Sequence, residues 1–390
     1  MPAPSRLPYW RLSGFYFFYF AALGALLPYW ALYLQSLGFS HAQIGQLMAI
    51  LPATKVISPN LWGWLADHTD RNVLLIRVSS CLAAASFALV FWGDGFAWLA
   101  LTTLLMGFFW NAPMPLFEAV TLSYLHHDSH RYSRIRIWGS IGFVAAVSAV
   151  GWALNTFLLI ECLPSVLFGL FLGMGLVALV LPGRSVRVQG AAAGSLAEIF
   201  RRPGVVAFFV ACLLIQLAHG PYYTFFSVYL KESGYDAEQT GLLWSLAILA
   251  EILLFGFMRP IFQRFSLRRV LLVAIALSVA RWWLIAEWVD SVAALVFAQL
   301  LHAASFGAAH VAAIQFIHQH FAWPHQGKGQ ALYSSLSFGL GGMLGSYASG
   351  EVWAGLGPVF VFNAAAGLSL AAWLIVWIWV ERPDRAASVK

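Results

Sequence analysis

Apolar runs of about 20 residues or more recur along the whole chain, and each is long enough to cross a hydrocarbon core about 30 Å thick. The sequence predicts twelve such spans, near residues 9–34, 41–65, 73–92, 96–125, 134–156, 158–181, 204–230, 238–259, 269–288, 292–319, 328–350 and 355–380. Only 10% of the 390 residues are charged, and the mean hydropathy is +0.77. These values leave no stretch for a soluble domain. We therefore expect an all-α polytopic membrane protein with twelve transmembrane helices.

Positive charges are distributed unevenly about these spans. When the spans are threaded from a cytoplasmic N-terminus, all but three of the 22 lysines and arginines fall at one face. The exceptions are Lys231, at the opposite face, and Lys55 and Arg281, inside spans. This asymmetry follows the positive-inside rule and predicts that both termini lie in the cytoplasm. We expect the protein to lie in a bacterial inner membrane. The asymmetry also accounts for the net charge of +6 without a nucleic-acid partner.

The chain contains two similar halves. YLQSLGFSHAQIGQL at 33–47 and YLKESGYDAEQTGLL at 229–243 share six of fifteen residues without a gap. In each copy a glycine–aromatic pair turns the chain, and Ser40 or Asp236 can cap the next helix. The longest polar connection, rich in Gly, Ala and Ser, falls near the midpoint. We expect bundles of six helices over 1–181 and 204–390, joined by a cytoplasmic linker over 182–203.

Ionisable side chains inside the predicted spans are few, and such groups usually pair, face water or take part in chemistry. Glu118 lies behind Pro113 and Pro115, which disturb its helix. Arg136 opens the next span after a short polar connection, so the two charges can meet. They either lock two helices as an ion pair or belong to a substrate or proton site. The prolines favour the second alternative, because a lock needs no disturbed helix.

A second set of charges lies apart from this pair. Glu251 and Arg281 occupy neighbouring predicted spans. They can form a structural pair, or a switch in which movement of the arginine loads and unloads a proton on the glutamate, which we favour. Lys55 lies about two and a half turns before Gly63. Its ammonium can snorkel to the surface or face a cavity and attract an anionic substrate, and we favour the cavity.

Histidines and aromatic residues complete the candidate site. His302 and His310 titrate near neutral pH and are either hydrogen-bonded core residues or part of the proton path. Eight residues separate them, so a regular α-helix would point them about 80° apart. Trp110 and Phe143 lie near Glu118 and Arg136 in the sequence and are placed to stack on a planar ligand.

Six-helix halves repeated in parallel are typical of major facilitator transporters. Over essentially its whole length the chain resembles the branch of this superfamily that includes lactose permease, the nucleoside/proton symporters and the 3-phenylpropionate transporters. The segments NAPMPLFEA, RIRIWGSIGF, ILAEILL, SVARWW and LLHAAS carry the resemblance. It implies substrate binding by Glu118 and Arg136, and proton coupling that involves Glu251, Arg281 and His302.

The segment GWLADHTDRN, which begins at Gly63, is similar to the superfamily's loop between the second and third helices. The resemblance implies gating by Gly63, Asp67 and Arg71. We expect Gly63 to allow close helix approach, and Asp67 to hold cations or helix N-termini in one state and release them in another. The match is partial, since Asp70 stands where the pattern usually has glycine and Asn72 where it usually has a base.

Other positions depart from the sugar permease. Ser305 stands where the permease carries its proton-coupling carboxylate, and Phe143 replaces the tryptophan that stacks on the sugar ring. Lys55 is not part of the sugar pattern, whereas TKVISPNLWGWLAD and ALYSSLSFGLGG are similar to the 3-phenylpropionate transporters. Lactose is therefore not the expected substrate.

We predict a proton-coupled symporter that imports a small organic solute by alternating access, with an aromatic carboxylic acid such as 3-phenylpropionate as the leading substrate. A sugar or nucleoside symporter is the nearest alternative. Drug efflux is disfavoured because the fifth predicted span lacks the Gly-Pro motif of such antiporters, and a scaffold or sensor would not need buried titratable groups. We find no nucleophile motif, metal-ligand cluster or cofactor loop, and expect no enzyme, cofactor or metal. The expected partners are the solute, protons and the lipid bilayer, and the expected state is a monomer.

Overall fold

The structure, a computed structural model, describes residues 7–125, 129–183, 201–321 and 326–380. Within these ranges every regular element is a helix. The first seven α-helices are α1 (Tyr9–Ser36), α2 (His41–Thr69), α3 (Asn72–Ala88), α4 (Phe96–Trp110), α5 (Pro113–Tyr124), α6 (Ser129–Thr156) and α7 (Leu163–Leu179). The others are α8 (Pro203–Glu232), α9 (Ala237–Arg264), α10 (Leu267–Glu287), α11 (Val292–Leu300), α12 (Ala309–His320), α13 (Gln326–Tyr333) and α14 (Gly342–Trp379). Two π-helical stretches, Ala303–Ala308 and Ser334–Gly341, precede α12 and α14.

Ten helical stretches of the described chain are long and apolar enough to cross a membrane. The predicted polytopic membrane protein is confirmed, although the ten do not match the twelve predicted spans one for one. Helix α2 is not among the ten, and it carries polar side chains such as Gln43, Gln46 and Lys55 along its length. One of the ten, Gln326–Trp379, has 54 residues, which corresponds to about 80 Å of helix and exceeds one bilayer crossing.

That long stretch breaks at Gly357, whose backbone has φ 77° and ψ 169°. Glycine adopts this conformation at little cost because it has no Cβ. Pro358 follows and has no N–H with which to continue the helical hydrogen bonds. The chain therefore has a sharp break near the predicted boundary between the last two spans.

The fourth predicted span is interrupted, as its prolines indicate. Helix α4 ends at Trp110, and α5 begins at Pro113, a position where a missing N–H costs nothing. Between them, Asn111 donates a hydrogen bond of 2.8 Å from Nδ2 to Thr54 Oγ1 on α2. This interruption sets where α5 starts, and so places Glu118 about one and a half turns into α5.

Packing divides the described residues into two compact units. The first unit takes in residues from 1–39 and 54–190, and the second takes in residues from 40–53 and 191–390. Residues 40–53, which include the start of α2, are thus grouped with the second unit. Positions 184–200 of the predicted linker lie outside the described ranges, so the predicted boundaries at 181 and 204 stay predictions.

Each unit contains a helix crossing in which glycines let backbones touch. In the first unit, a Cβ built on Gly24 of α1 would lie 3.0 Å from the Phe143 Cα of α6. In the second unit, a Cβ built on Gly345 of α14 would lie 3.0 Å from the Gly220 Cα of α8. Real Cβ atoms need more room, so both crossings depend on residues without a side chain.

The two copies of the sequence repeat form the same local structure. Gln43 N donates to Ser40 Oγ at 3.3 Å, and Ser40 N donates to Gln43 Oε1 at 3.0 Å. Gln239 N donates to Asp236 Oδ1 at 2.7 Å, and Asp236 N donates to Gln239 Oε1 at 3.0 Å. The glycine two residues before each cap has a φ of 84° or 87°. Both predicted caps are therefore confirmed, each as a reciprocal capping box.

Candidate functional site

In the first unit, Glu118 on α5 and Tyr132 and Arg136 on α6 form one polar cluster. The Tyr132 hydroxyl donates a hydrogen bond of 3.4 Å to Glu118 Oε1. Arg136, one turn further along α6, interacts electrostatically with the same carboxylate. All three side chains lie in the described chain, where no salt bridge joins Glu118 to Arg136. The predicted meeting of the two charges is thus a shared cluster and not a direct ion pair.

Aromatic rings of α1 support the Arg136 guanidinium. Its Cζ lies 4.2 Å from the ring centroid of Phe20 and 5.4 Å from that of Tyr16. Gly139 leaves the space that this arrangement needs, since a Cβ there would lie 2.8 Å from Arg136 Nη1. The cation is therefore stabilised by two ring faces as well as by the nearby carboxylate.

Lys55 lies on α2 between two residues that are tied to neighbouring helices. The Thr54 hydroxyl accepts a hydrogen bond from Asn111, and Ser58 Oγ donates one to the Phe108 carbonyl oxygen. The Lys55 side chain is only partly exposed, and within the described ranges its ammonium has no hydrogen-bond or salt-bridge partner. The predicted role of Lys55 in attracting an anion is compatible with this position and stays a prediction.

Trp110 and Phe143 are core residues of the first unit in this structure. Their exposed fractions are 2% and 5%. The Trp110 ring lies 5.4 Å from the Tyr19 ring and 5.1 Å from the Phe171 ring, between centroids. The backbone of Phe143 packs against Gly24. Stacking of either side chain on a ligand stays a prediction.

In the second unit, Glu251 on α9 approaches His302 and not Arg281. Glu251 Oε2 lies 3.6 Å from His302 Nε2, and both side chains are largely buried. Gly307 leaves room for this approach, since a Cβ there would lie 3.0 Å from Glu251 Cγ. The predicted Glu251–Arg281 pair is therefore wrong for this structure, because Arg281 Nη1 instead donates a hydrogen bond of 3.4 Å to Ser305 Oγ.

Arg281 on α10 is fully buried, with an exposed fraction of 0%. Its Cζ lies 4.2 Å from the Tyr222 ring centroid and 4.4 Å from that of Trp282. Tyr222 is also a side-chain hydrogen-bond partner of the guanidinium, and no carboxylate of the described chain forms a salt bridge with it. Arg281 is thus a buried cation without an acidic partner in the described part of the chain.

His302 and His310 face the same way. Both rings stack on Phe306. The centroid of the His302 ring lies 5.2 Å from that of Phe306 with an angle of 4° between the ring planes, and the corresponding values for His310 are 6.2 Å and 7°. The predicted separation of 80° is wrong because Ala303–Ala308 winds as a π-helix, whose wider turn brings residues four apart onto one face. His310 Nδ1 lies 3.1 Å from the Tyr333 hydroxyl, which extends the column to α13.

A small cavity of about 10 Å³, with room for about one water molecule, adjoins this column in the second unit. It is lined by Cys212, Ile215, Gln216, Ser305, Phe306, Ala309, His310 and Tyr333. Ser305 faces the cavity and also accepts the hydrogen bond from Arg281, so one hydroxyl separates the cavity from the buried guanidinium. Mid-helix π-turns often mark functional sites. The described residues include no cluster of three or more His, Cys, Asp or Glu side chains that could hold a metal ion.

The predicted gating residues lie where α2 ends and α3 begins. A Cβ built on Gly63 meets no atom within 4 Å, so the predicted close helix approach at Gly63 is wrong for this structure. Asp67 is exposed, and Arg71 precedes α3 as its N-cap residue. Asp70 has a φ of 53°, in the left-handed region that glycine adopts most readily. This backbone explains why glycine suits that position, and the gating role itself stays a prediction.

Sequence reasoning missed the aromatic partners of both arginines. Tyr16, Phe20 and Tyr132 surround Arg136, while Tyr222 and Trp282 surround Arg281. Aromatic residues make up 16% of the chain, so most carry no signal of their own. Tyr132 was detectable, because it lies one helical turn before Arg136 and therefore on the same face.

The model of the MFS_1 like family matches residues 9–364. The match runs from the first residue of α1 into α14 and covers both units. It therefore includes every residue of the two polar clusters.

Individual proteins and structures give similar results. "Probable 3-phenylpropionic acid transporter" of Escherichia coli (strain K12) is 29% identical over 355 residues, covering 89% of this chain and 90% of that protein. Maltose permease of Geobacillus stearothermophilus is 30% identical over 387 residues, covering 96% and 95%. The crystal structure of nucleoside transporter NupG has a TM-score of 0.84 at 19% identity, covering 96% of this chain and 99% of that chain. At that identity the structural likeness concerns the fold alone.

Proposed function

The chain belongs to the MFS_1 like family, and from this premise we propose that it is a proton-coupled symporter that imports a small organic solute by alternating access. Members of such families are membrane transporters, and this chain is a transporter and not an enzyme. The proposed substrate is an aromatic carboxylic acid such as 3-phenylpropionate. The proposed location is a bacterial inner membrane, with both termini in the cytoplasm and the chain acting as a monomer.

We propose twelve transmembrane helices in two bundles. Helix α2 has 29 residues, about 43 Å, which is long enough to cross a membrane in addition to the ten apolar stretches. The 54-residue stretch is long enough to cross twice, and its break at Gly357 offers the point of reversal. Helix α2 and the division of the long stretch at Gly357 each add one crossing, so ten apolar stretches correspond to twelve proposed transmembrane helices.

The observation that carries the substrate proposal is Lys55, a partly buried cation without a partner in the described part of the chain. A cation at membrane depth is costly unless it meets an anion or water. Arg136 supplies a second cation in the same unit, and the rings around it suit an aromatic solute. The relative that is 29% identical, "Probable 3-phenylpropionic acid transporter", supports this class of substrate.

We assign proton coupling to Glu251 and His302. Their side chains approach to 3.6 Å in a largely buried setting, and histidine is the side chain that exchanges a proton most readily near neutral pH. A proton on either group changes the charge of the pair and so its attraction to neighbouring groups. Because Ser305 stands in place of the sugar permease's carboxylate, this pair is the best available site in the second unit.

Sugar transport is a second candidate, supported by the 30% identity to maltose permease. The substitution Lys55→Gln separates the two. If the substrate is an acid, uptake by Lys55→Gln should fall by at least about tenfold, the effect of losing one charge-assisted contact. A neutral sugar should be transported almost as well by the variant as by the wild type, and that result would favour the sugar.

The direct test is uptake into proteoliposomes that contain the purified full chain. The panel comprises 3-phenylpropionate, related aromatic acids, maltose and nucleosides, each with an imposed proton gradient and with the gradient collapsed by a protonophore. We expect gradient-dependent accumulation of an aromatic acid. Accumulation that ignores the gradient would rule out symport, and accumulation of maltose alone would rule out the acid.

A further inference from the structure

We propose that Arg281 binds the carboxylate of the transported acid, in a subsite formed by residues of the second unit. This inference rests on the proposed transport of an aromatic acid and deepens it by naming, in addition to Lys55, a cation of the second unit that recognises the charged group. This role differs from the one predicted from the sequence, in which Arg281 pairs with Glu251 and controls its proton.

The first argument is the unused hydrogen-bonding capacity of the guanidinium. Arg281 is fully buried, yet its Nε and Nη2 atoms have no protein hydrogen-bond partner. Nη1 donates to Ser305 Oγ at 3.4 Å, and Tyr222 is a second side-chain hydrogen-bond partner of the guanidinium. Nε and one terminal nitrogen form the edge of the planar fork that receives both oxygens of a carboxylate in a bidentate pair. The free edge therefore matches the group that an organic acid carries.

The second argument is charge. A buried arginine is normally paired, because an uncompensated charge in a medium of low dielectric is costly. No carboxylate of the described chain forms a salt bridge with Arg281, and Glu251, the acidic residue predicted beside it, instead lies at His302. Since no acid of the described chain compensates the charge, an anion from outside the protein is the fitting partner.

The third argument is that other polar atoms near Arg281 are also unused. His219 Nδ1 donates to the Ile215 carbonyl at 2.7 Å, and its Nε2 has no partner. Gln299 Oε1 accepts a hydrogen bond from Tyr222, and its Nε2 has none. Buried polar groups are nearly always hydrogen-bonded, so these unpaired atoms leave hydrogen-bonding capacity for a polar ligand or for water.

The fourth argument is the apolar surround. Tyr222 and Trp282 lie against the guanidinium, and Trp244 lies 4.5 Å from the Tyr222 ring, between centroids. Ring faces and edges beside a cation suit a molecule with an aromatic ring at one end and a carboxylate at the other. The ligand class is therefore an aromatic monocarboxylate.

The test compares 3-phenylpropionate with its uncharged analogue 3-phenylpropionamide, using equilibrium binding to the purified full chain without a proton gradient. The wild type should bind the acid at least about tenfold more tightly than the amide, the effect of a charge-assisted contact. Arg281→Met should remove this preference by weakening acid binding, while amide binding changes by less than about threefold. Arg268→Met is the matched control, because Arg268 also lies on α10 and over a ring, that of Trp377. It should keep the preference.

Thermal unfolding is a second measurement that distinguishes the two roles of Arg281. A ligand-binding role predicts that Arg281→Met raises the unfolding temperature, and a structural role predicts that it lowers it. Without ligand, Arg281→Met should unfold at a higher temperature than the wild type, since it replaces an uncompensated buried charge by an apolar side chain. The acid should raise the unfolding temperature of the wild type and not that of the variant. If Arg281→Met cannot be purified, Arg281→Gln is measured in the same way.

The outcomes separate the two proposals. If the wild type shows no preference for the acid over the amide, the proposed acid substrate is wrong. If the wild type prefers the acid and Arg281→Met keeps that preference, the proposed substrate stands and Arg281 is not its carboxylate site. A lower unfolding temperature for Arg281→Met with unchanged acid binding would likewise make Arg281 a structural residue.

Discussion

Each unit places an arginine against aromatic rings, but the groups that balance the charge of the two arginines differ. Arg136 lies over Phe20 and Tyr16 and shares its surroundings with Glu118. Arg281 lies over Tyr222 and Trp282 and forms no salt bridge with a carboxylate of the described chain. The ring contacts are alike, so the carboxylate makes the difference. The first cluster contains both signs of charge, whereas the second lacks an anion at its arginine.

The glutamates of the two clusters also differ in the group that lies next to the carboxylate. Glu118 accepts a hydrogen bond from Tyr132, a phenol that does not exchange its proton near neutral pH. Glu251 instead lies 3.6 Å from the imidazole Nε2 of His302, so its neighbour is a base and not a phenol. The comparison teaches that two clusters of similar composition can differ in function. In the first cluster the acid and the arginine share one set of neighbours, whereas in the second the acid lies at a histidine and the arginine lies at a hydroxyl.

The largest expected effect tests where the proton is handled. For a symporter that moves one proton with each solute molecule, a gradient of one pH unit sustains about tenfold accumulation. Glu251→Gln should abolish this accumulation while exchange of labelled for unlabelled solute continues. Glu118→Gln should still accumulate the solute in response to the gradient. Both are measured in proteoliposomes, and gradient-driven accumulation by Glu251→Gln would place coupling elsewhere.

The next effect compares the stabilities of the two arginine clusters. Arg136→Met removes the cation near Glu118 and should lower the free energy of unfolding, by less than the about 3 kcal/mol that breaking a direct buried ion pair costs. Arg281→Met should change stability in the opposite direction. Thermal unfolding of both variants in the same detergent measures the contrast. Equal destabilisation would mean that the second cluster is balanced as fully as the first.

A smaller effect concerns the helix crossings at glycines, since each unit contains such a crossing. Gly345→Ala would press a methyl group against the Leu217 carbonyl oxygen and Gly220, and should cost about 2 kcal/mol through overpacking. Gly142→Ala, which would meet the Phe17 carbonyl in the first unit, should cost a similar amount. Gly63→Ala is the control, because open space surrounds that position and alanine favours a helix. A loss of stability in the control would show that Gly63 is tightly packed after all.

The smallest expected effect concerns the two capping boxes. Ser40→Ala and Asp236→Ala should each cost about 1 kcal/mol, since each removes one capping acceptor. Amide hydrogen exchange should rise in the first turn of α2 in one variant and of α9 in the other. A large difference between the two variants would show that the repeat copies have diverged in local stability as well as in charge.

Sequence alone was informative wherever local chemistry decides the structure. Apolar length predicted the membrane helices, Pro113 predicted the break before α5, and Ser40 and Asp236 predicted their capping boxes. Each of these features depends on residues within a few positions of one another. The family resemblance also brought the right residues together, since Glu251, Arg281 and His302 do lie in one cluster.

Pairings between helices could not be predicted in the same way. Which group Arg281 meets depends on side-chain direction and on the neighbouring helix, so Ser305 was found where Glu251 was expected. Gly63 was expected at a close contact, but a glycine does not reveal whether its missing side chain faces a helix or open space. The predicted 80° separation of His302 and His310 was wrong because it assumed a regular α-helix, and the sequence gives no sign of the π-helical turn between them.

That π-helical turn has a consequence for motion. A π-helical stretch holds one more residue per turn than the regular spiral, so its return to an α-helix would advance the following segment by one position. One position of α-helix is a rotation of about 100° and a translation of about 1.5 Å. Such a register shift at Ala303–Ala308 would carry His310 out of its column while His302, which precedes the stretch, stayed with Glu251. A rotation and translation of this helix along its own axis would therefore separate His310 from His302 without bending the helix.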